Sequence, residues 1–323
     1  MSEILIEYIF FLLKTFTIVL AIILIVAQVA ALKKSDSKNG NIKVKKLNDH
    51  FSEIKDSMAK HVLSKAEYKA MNKDMKKNNK KEKKQSKDRL FVLNFKGDIR
   101  ASAAEELRDE ISAILAIATP NKDKVLIKLE SPGGCVHDYG FAASQLSRIR
   151  NSNIELIAAV DKMAASGGYL MASVASKIIA SPFAVIGSIG VLLQVPNFHK
   201  FLNDKKITFE QLTSGNDKRN LTMFGPNTKE DREKAQEQID QIHNLFIDFV
   251  KKYRPNIEPD KVATGKTWHA VDAIELDLVD AIETSDDFII NALKENDVYK
   301  VSKECKKKLL HKLTANARAI IGL

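Results

Sequence analysis

Three glycine-bearing turns hold the residues with which this chain could do chemistry. They are Ser131-Pro-Gly-Gly (131–134), Ser166-Gly-Gly (166–168) and Gly187-Ser-Ile-Gly (187–190). The first two follow apolar runs that read as buried strands and precede segments that read as helices. A serine at such a helix start holds its hydroxyl in the field of backbone N–H groups that have no intrahelical partner. Glycines beside it let another group approach the backbone closely. This combination suits acyl transfer, in which a serine oxygen attacks a carbonyl carbon and backbone N–H groups receive the developing negative charge. Ser166 is the candidate nucleophile, and Gly133, Gly134 and Gly167 are the candidate oxyanion donors. Taken alone, Ser-Gly-Gly has a plainer reading: Ser166 as the N-cap of its helix.

A serine nucleophile needs a base. Among seven histidines, His137 follows the first Gly-Gly turn by three residues, and His199 lies in a polar stretch, Asn197-Phe-His-Lys. The other option is a lysine, which acts as a base only when its amine is neutral, and that requires burial or a neighbouring positive charge. Lys218, with Arg219 beside it, stands just past Gly215 in Thr213-Ser-Gly-Asn-Asp-Lys-Arg-Asn. Residue chemistry alone selects none of these three, and any one lysine among so many is ordinarily a surface lysine.

Strands and helices alternate through the segment that must position these residues. Leu90–Phe95, Val125–Glu130, Ile154–Val160 and Lys177–Ser181 read as strands, and Ile207–Thr213 reads as another. Helices are expected over 101–118, 138–150 and 228–253, the last opening on Asn227-Thr228 as a cap. Such repeated strand–helix units imply a largely parallel sheet with helical crossovers. Ligands collect at the carboxyl ends of strands in such sheets, where the first two glycine turns fall.

The net charge of +10 is not spread over the chain. Between Lys33 and Leu90 there are 19 Lys and Arg against 8 Asp and Glu, and from Phe91 onward the charges balance. The charge is therefore no nucleic-acid footprint on the folded body, and a basic segment of this kind suits anionic lipid. Residues 4–32 are mostly apolar, and Thr15–Leu32 is 18 residues without a charge, long enough with its flanks to span a hydrocarbon core. A cleaved signal peptide fits less well, because Glu3 and Glu7 stand where a basic region belongs. Within the basic segment, Phe51, Ile54, Met58, Val62 and Leu63 form an amphipathic helical stripe, and Lys73–Lys87 is a solvated charge run. Two cysteines, Cys135 and Cys305, make neither a disulfide framework nor a zinc cluster. No Walker loop, dinucleotide fingerprint or His-Glu-x-x-His motif occurs, so neither nucleotide nor metal chemistry is indicated.

Taken together, Ser131-Pro-Gly-Gly-Cys-Val-His-Asp-Tyr-Gly, Val160-Asp-Lys-Met-Ala-Ala-Ser-Gly-Gly-Tyr, Gly187-Ser-Ile-Gly-Val and Ala263-Thr-Gly-Lys-Thr-Trp resemble the signal peptide peptidase A family of serine proteases, peptidase family S49. The resemblance covers essentially the whole chain. It implies an α/β fold like that of Clp protease and crotonase, with stacked β-β-α units, and a Ser-Lys dyad matching Ser166 and Lys218. It also implies oxyanion donors around Gly133, Gly134 and Gly167, no cofactor, peptide or unfolded-protein substrates, and homo-oligomers. The implied organisation is a transmembrane anchor over 1–32, a basic linker over 33–89, a protease domain over 90–298 and a basic amphipathic tail over 299–323. A single-pass bacterial inner-membrane protein is expected. The lysines after the span argue for a cytoplasmic catalytic domain, whereas relatives are often placed on the outer face, so the side stays open. The competing expectations are a non-catalytic membrane scaffold on the same fold, and an acyl-thioester enzyme of the crotonase type.

Overall fold

The computed structural model describes residues 8, 10–20, 41–82, 87–215, 218 and 221–304. The chain divides into two compact units, residues 1–41 with 303–323, and Ile42–Ser302. In the first unit the described residues include a helix over 10–20 (α1), with Phe11, Phe16 and Ile18 exposed. Among the described residues no helix is long and apolar enough to cross a membrane. The remainder of the expected span, residues 21–32, lies outside the described residues.

The second unit is built on a seven-stranded sheet ordered β1-β10-β2-β3-β4-β6-β9. Its strands are β1 (Ile42–Lys46), β2 (Arg89–Lys96), β3 (Lys124–Glu130), β4 (Glu155–Val160), β6 (Lys177–Ala180), β9 (Ala281–Ile282) and β10 (Asp297–Lys303). From β10 through β2, β3, β4 and β6 to β9, every neighbouring pair runs parallel. The apolar runs follow from this arrangement, because a parallel sheet is covered on both faces. Phe91, Leu93, Phe95, Val125, Ile127 and Leu129 point into the larger core, with Leu107, Ile111, Leu146 and Ile149. The alternate residues Leu90, Val92, Leu126, Ile157 and Ile179 face a smaller core with Ile289 and Val298.

A second, three-stranded sheet, β5 (Met163–Ala165), β7 (Val185–Gly187) and β8 (Thr267–His269), is mixed, with β5 parallel to β7 and β7 antiparallel to β8. It arises because the chain leaves each main strand into a short strand before turning into a helix. Thus β4 leads to β5 and then to Gly167–Ser173 (α6), and β3 leads through a bridge between Ser131 and Ala164 to Val136–Asn151 (α5). The helices preceding these are Leu47–Val62 (α2), Lys65–Glu82 (α3) and Ala104–Leu115 (α4). Those following are His199–Asp204 (α7), Lys229–Tyr253 (α8), Pro259–Val262 (α9), Ala270–Ala273 (α10) and Ser285–Glu295 (α11).

Several boundaries differ from the sequence reading for physical reasons. Helix α4 starts later than expected because Ala101 takes a φ of 44°, outside the helical range, and Asp98 holds the turn through Ser102 N and Oγ. The segment Ile207–Thr213 is not a strand. Among the described residues it has no neighbouring strand, and its apolar residues are exposed, with Leu212 98% exposed. Strands β1 and β10 carry the sheet into stretches that read as linker and tail, since Asp297–Lys300 pair with Arg89–Val92. Helix α8 does open on Thr228, in a capping box with Asp231.

At the opposite end of the sheet from the glycine turns, Asp123 is 2% exposed and accepts from Arg89 N and Nε and from Thr119 N. Burial alone pushes its carboxyl up, but the Arg89 guanidinium and the two backbone N–H groups outweigh burial and hold it below the ordinary value. A group depressed in the folded state contributes stability that is present above its unfolded value and lost as pH falls through the folded one. Asp123→Ala, which leaves Arg89 and two N–H groups without their acceptor, is expected to cost about 3 kcal/mol at neutral pH. The deficit relative to wild type should shrink below about pH 4. Urea titrations of both proteins at several pH values check this.

Candidate active site

Ser166 sits between the end of β5 and the start of α6, at the N-cap position. It is not a working cap: its side chain makes no capping hydrogen bond, and its backbone is held at φ 51°, ψ −122°. A non-glycine residue there costs on the order of 1–3 kcal/mol and persists only where its surroundings impose it. They do so here from both sides. The Ser166 amide donates to Gly187 O at 2.8 Å, and Leu170 N donates to Ser166 O at 2.9 Å. Ser166 is half-buried, and Gly167 follows it as the first residue of α6.

The first glycine turn is pressed against this serine. A Cβ on Gly133 would lie 2.7 Å from Ala165 O, 2.7 Å from Ser166 Cβ and 2.8 Å from Gly167 N, and Gly133 has φ +85°. A Cβ on Gly168 would lie 2.7 Å from Ser131 O, and one on Gly167 would enter the Tyr139 ring at 2.3 Å. Here glycine is required because two backbone turns share one space. Ladder bonds lock them together: Ser131 N donates to Met163 O and Ala165 N to Ser131 O.

Tyr139, fully buried on α5, ties the assembly from beneath. Its hydroxyl donates to Asp98 O at 2.8 Å and meets Ser131 Oγ at 2.6 Å. Burial pushes its phenol above the ordinary value, so it stays a donor. Ser131 Oγ in turn accepts the Gly133 N–H at 3.0 Å. The Gly133 N–H, one of the three candidate donors, is thus engaged by Ser131 Oγ in this arrangement.

Ser166 opens on a groove of about 670 Å³. One side is the first turn, from Pro132 to Gly134 with Val136, and the floor carries Ser166 and Ser188. The segment after β7 adds Gly190, Val191 and Leu192, and helix α8 supplies Gln236, Ile239, Asp240 and His243. Two other hollows, one bordered by Asp123, Lys124 and Glu155 and one by Arg254, Asp277 and Asp280, contain none of the three glycine turns.

The candidate bases fall differently. His137 is exposed on the first turn of α5, and His199 is half-buried at the start of α7, where its ring meets Asn203 at 3.1 Å. Neither lines the groove. Lys218 does not line it either: it is exposed, and its amide donates to Gly215 O at 3.2 Å in a turn where Gly215 has φ +102°. The structure thus brings Ser166, Gly134 and Gly167 together and leaves Lys218 apart. The charged pair after β4 is structural: Asp161 accepts from Ser285 N and Oγ, and Lys162 pairs with Glu130.

The sequence reading missed Ser188, Asp240 and His243. Ser188 shares with Ser166 a positive φ, 53°, and its amide donates to Lys266 O. Asp240 and His243 come from a helix more than 70 residues beyond Ser166. Their only sequence signal is helical spacing, which marks one face without saying what it faces. The His243 Nε2 is enclosed without a hydrogen-bond partner, so that nitrogen does not engage Ser166.

A largely parallel α/β sheet thus carries, between β5 and α6, a strained serine without a capping bond that opens on a groove beside a second glycine turn. The chain belongs to peptidase family S49: the model of the family's N-terminal region matches residues 3–146, and that of peptidase family S49 itself matches residues 148–299. It is 44% identical to "Probable protease SohB" of Haemophilus influenzae, over 98% of this chain and 94% of that protein. It is 45% identical to "Probable protease SohB" of Buchnera aphidicola subsp. Schlechtendalia chinensis, over 90% of this chain and 99% of that protein. A solved structure of a mutant membrane-bound stomatin-specific protease in complex with a substrate peptide aligns at a TM-score of 0.47, with 15% identity, over 72% of this chain and all of the other.

Proposed function

We propose that this protein is a membrane-anchored serine endopeptidase in which Ser166 is the nucleophile and Lys218 the base, on a Clp protease/crotonase-like framework. The observation that carries the proposal is Ser166 itself: a serine at a helix start, strained, without a capping bond, and open to a groove. A purely structural serine gains nothing from that strain.

In the proposed mechanism the Lys218 amine takes the proton from Ser166 Oγ as the oxygen bonds to the carbonyl carbon of a peptide. The tetrahedral anion is received by the N–H groups of Gly134 and Gly167. The C–N bond then breaks, the protonated Lys218 returns its proton to the leaving amine, and water releases the acyl group by the same sequence in reverse. Lys218 must be carried to the groove for this. Residues 207–215 have no helix or strand and are exposed, so their rearrangement breaks no buried packing. Between β7 and α8 the chain also exposes Leu192, Phe201 and Leu212, surface that self-association would cover. The apolar run Thr15–Leu32 would tether the protein to a bacterial inner membrane.

The position of Lys218 outside the groove is the one observation that favours a scaffold without catalysis. A fluorophosphonate probe separates the two readings. The wild-type chain is expected to be labelled, Ser166→Ala not at all, and Lys218→Ala at least tenfold more slowly. Equal labelling of wild type and Ser166→Ala excludes Ser166 as nucleophile.

A further inference from the structure

We propose that the helical hairpin of α2 and α3 is a docking surface for an anionic lipid bilayer, laying the outer part of α2 in the headgroup region. The proposal goes beyond the reading of the Ser166 site and of the apolar run, and uses neither.

The argument starts from one stripe of side chains. Leu47, Phe51, Ile54, Met58 and Val62 recur at spacings of three and four, so they share one face of α2. The first two residues of the stripe pack on the smaller core, beside Leu90, Ile289 and Val298. Asn48 fixes that end by donating to Asn296 O and accepting from Val298 N. Beyond Phe51 the same stripe leaves the core and no described residue covers it: Ile54 is 46%, Met58 61% and Val62 70% exposed. The other side of α2 is taken by α3, with Ala59 buried and Tyr68 Oη donating to Asp56 at 2.7 Å. A capping box of Ser64 and Glu67 makes the corner between the two helices. The hairpin is thus an ordered element with an apolar edge left in water.

Charge selects the occupant. Lys55, Lys60, Lys65, Lys69 and Lys73 are all exposed on the hairpin, which carries nine Lys against six Asp and Glu and is flanked on both sides by further basic stretches, residues 33–46 and 83–90. A second copy of the hairpin would bring the same lysines together and repel. A nucleic acid would satisfy the lysines but not Ile54, Met58 and Val62. An apolar stripe flanked by lysines fits a surface with acyl chains below and anionic headgroups above.

The test uses the full chain carrying Met58→Trp, with the native Trp268 as background, bound to vesicles of phosphatidylcholine with or without phosphatidylglycerol. With phosphatidylglycerol, the emission added by the new tryptophan should shift to the blue and fall at least about twofold when brominated lipid is included. Without it, or with Lys65→Gln, Lys69→Gln and Lys73→Gln combined, quenching should be largely lost. If the chain floats with the vesicles yet this tryptophan stays open to iodide, the docking surface is wrong while a tether through the apolar run stands. If the tryptophan is shielded from both iodide and brominated lipid, protein covers the stripe and the proposal fails. Equal quenching with and without anionic lipid also overturns it, and a chain that binds neither vesicle overturns both this proposal and the tether.

Discussion

Ser166→Ala is expected to lower the rate of peptide cleavage by roughly 10⁴-fold or more, since loss of the nucleophile from a serine–base pair leaves only binding and oxyanion contributions. The substitution removes one oxygen that makes no capping bond and lies at a groove surface. Its effect on the fold should therefore be small, and the thermal midpoint should stay within about 3 °C of wild type. The backbone strain at φ 51° is carried by alanine as by serine, so it does not confound the comparison. The measurement is cleavage of an unstructured protein substrate by purified wild type and variant, with circular dichroism melts on the same samples. Lys218→Ala belongs in the same series: if Lys218 acts as the base, the loss should be of comparable order, again without loss of fold, because the residue is exposed. A Ser166→Ala protein that cleaves at the wild-type rate would end the dyad reading. A Lys218→Ala protein that does so would retain Ser166 and send the search for the base elsewhere.

The second large effect is expected at a residue with no side chain. Gly133→Ala should both unsettle the fold and disable the site. The new methyl would sit 2.7 Å from Ala165 O and from Ser166 Cβ, against backbone that is itself tied into the second sheet. Overpacking of this kind costs about 1–3 kcal/mol, and placing alanine at φ +85° adds about 1–2 kcal/mol. Relief requires the Gly133 turn and the Ala165–Gly167 segment to move apart, which displaces Ser166 relative to that turn. A displacement of about 1 Å in a positioned catalytic group can cost around 100-fold in rate. The control is Gly140→Ala in the neighbouring helix α5, where a Cβ meets nothing within 4 Å. There alanine should be neutral or stabilising by up to about 1 kcal/mol. Denaturant melts and cleavage rates on the pair separate the special role of Gly133 from a general intolerance of added methyls. Equal behaviour of the two variants would show that the close approach of the turns is not what positions Ser166.

The pairing of Gly133 with Ser166 shows where sequence reading stops. That both turns matter was legible, because Ser-Pro-Gly-Gly and Ser-Gly-Gly each follow a buried strand and precede a helix. That they touch was not, since the contact depends on the register of β3 beside β4 and on the bridge from Ser131 to Ala164. The engagement of the Gly133 N–H by Ser131 Oγ was hidden for the same reason: it needs Tyr139, eight residues on, folded under the turn. The irregular course of Ile207–Thr213 carries a related lesson. Its apolar residues look like those of a strand, but such a run becomes a strand only beside a partner, and none is there among the described residues.

By itself the sequence determined the parallel α/β class, the three glycine turns, Ser166, the capping of α8 at Thr228 and the confinement of the basic charge to one segment. These are local matters, set by side-chain periodicity, by glycine conformation and by covalent neighbours. Tertiary structure decided that the Gly133 N–H is engaged by Ser131 Oγ and which side chains of α8 line the groove. It decided that Lys218 stands outside the groove, and that the apolar stripe of α2 is core at Phe51 and bare at Met58. Each of these depends on which distant residue occupies the neighbouring space, a question that packing answers and local spacing does not.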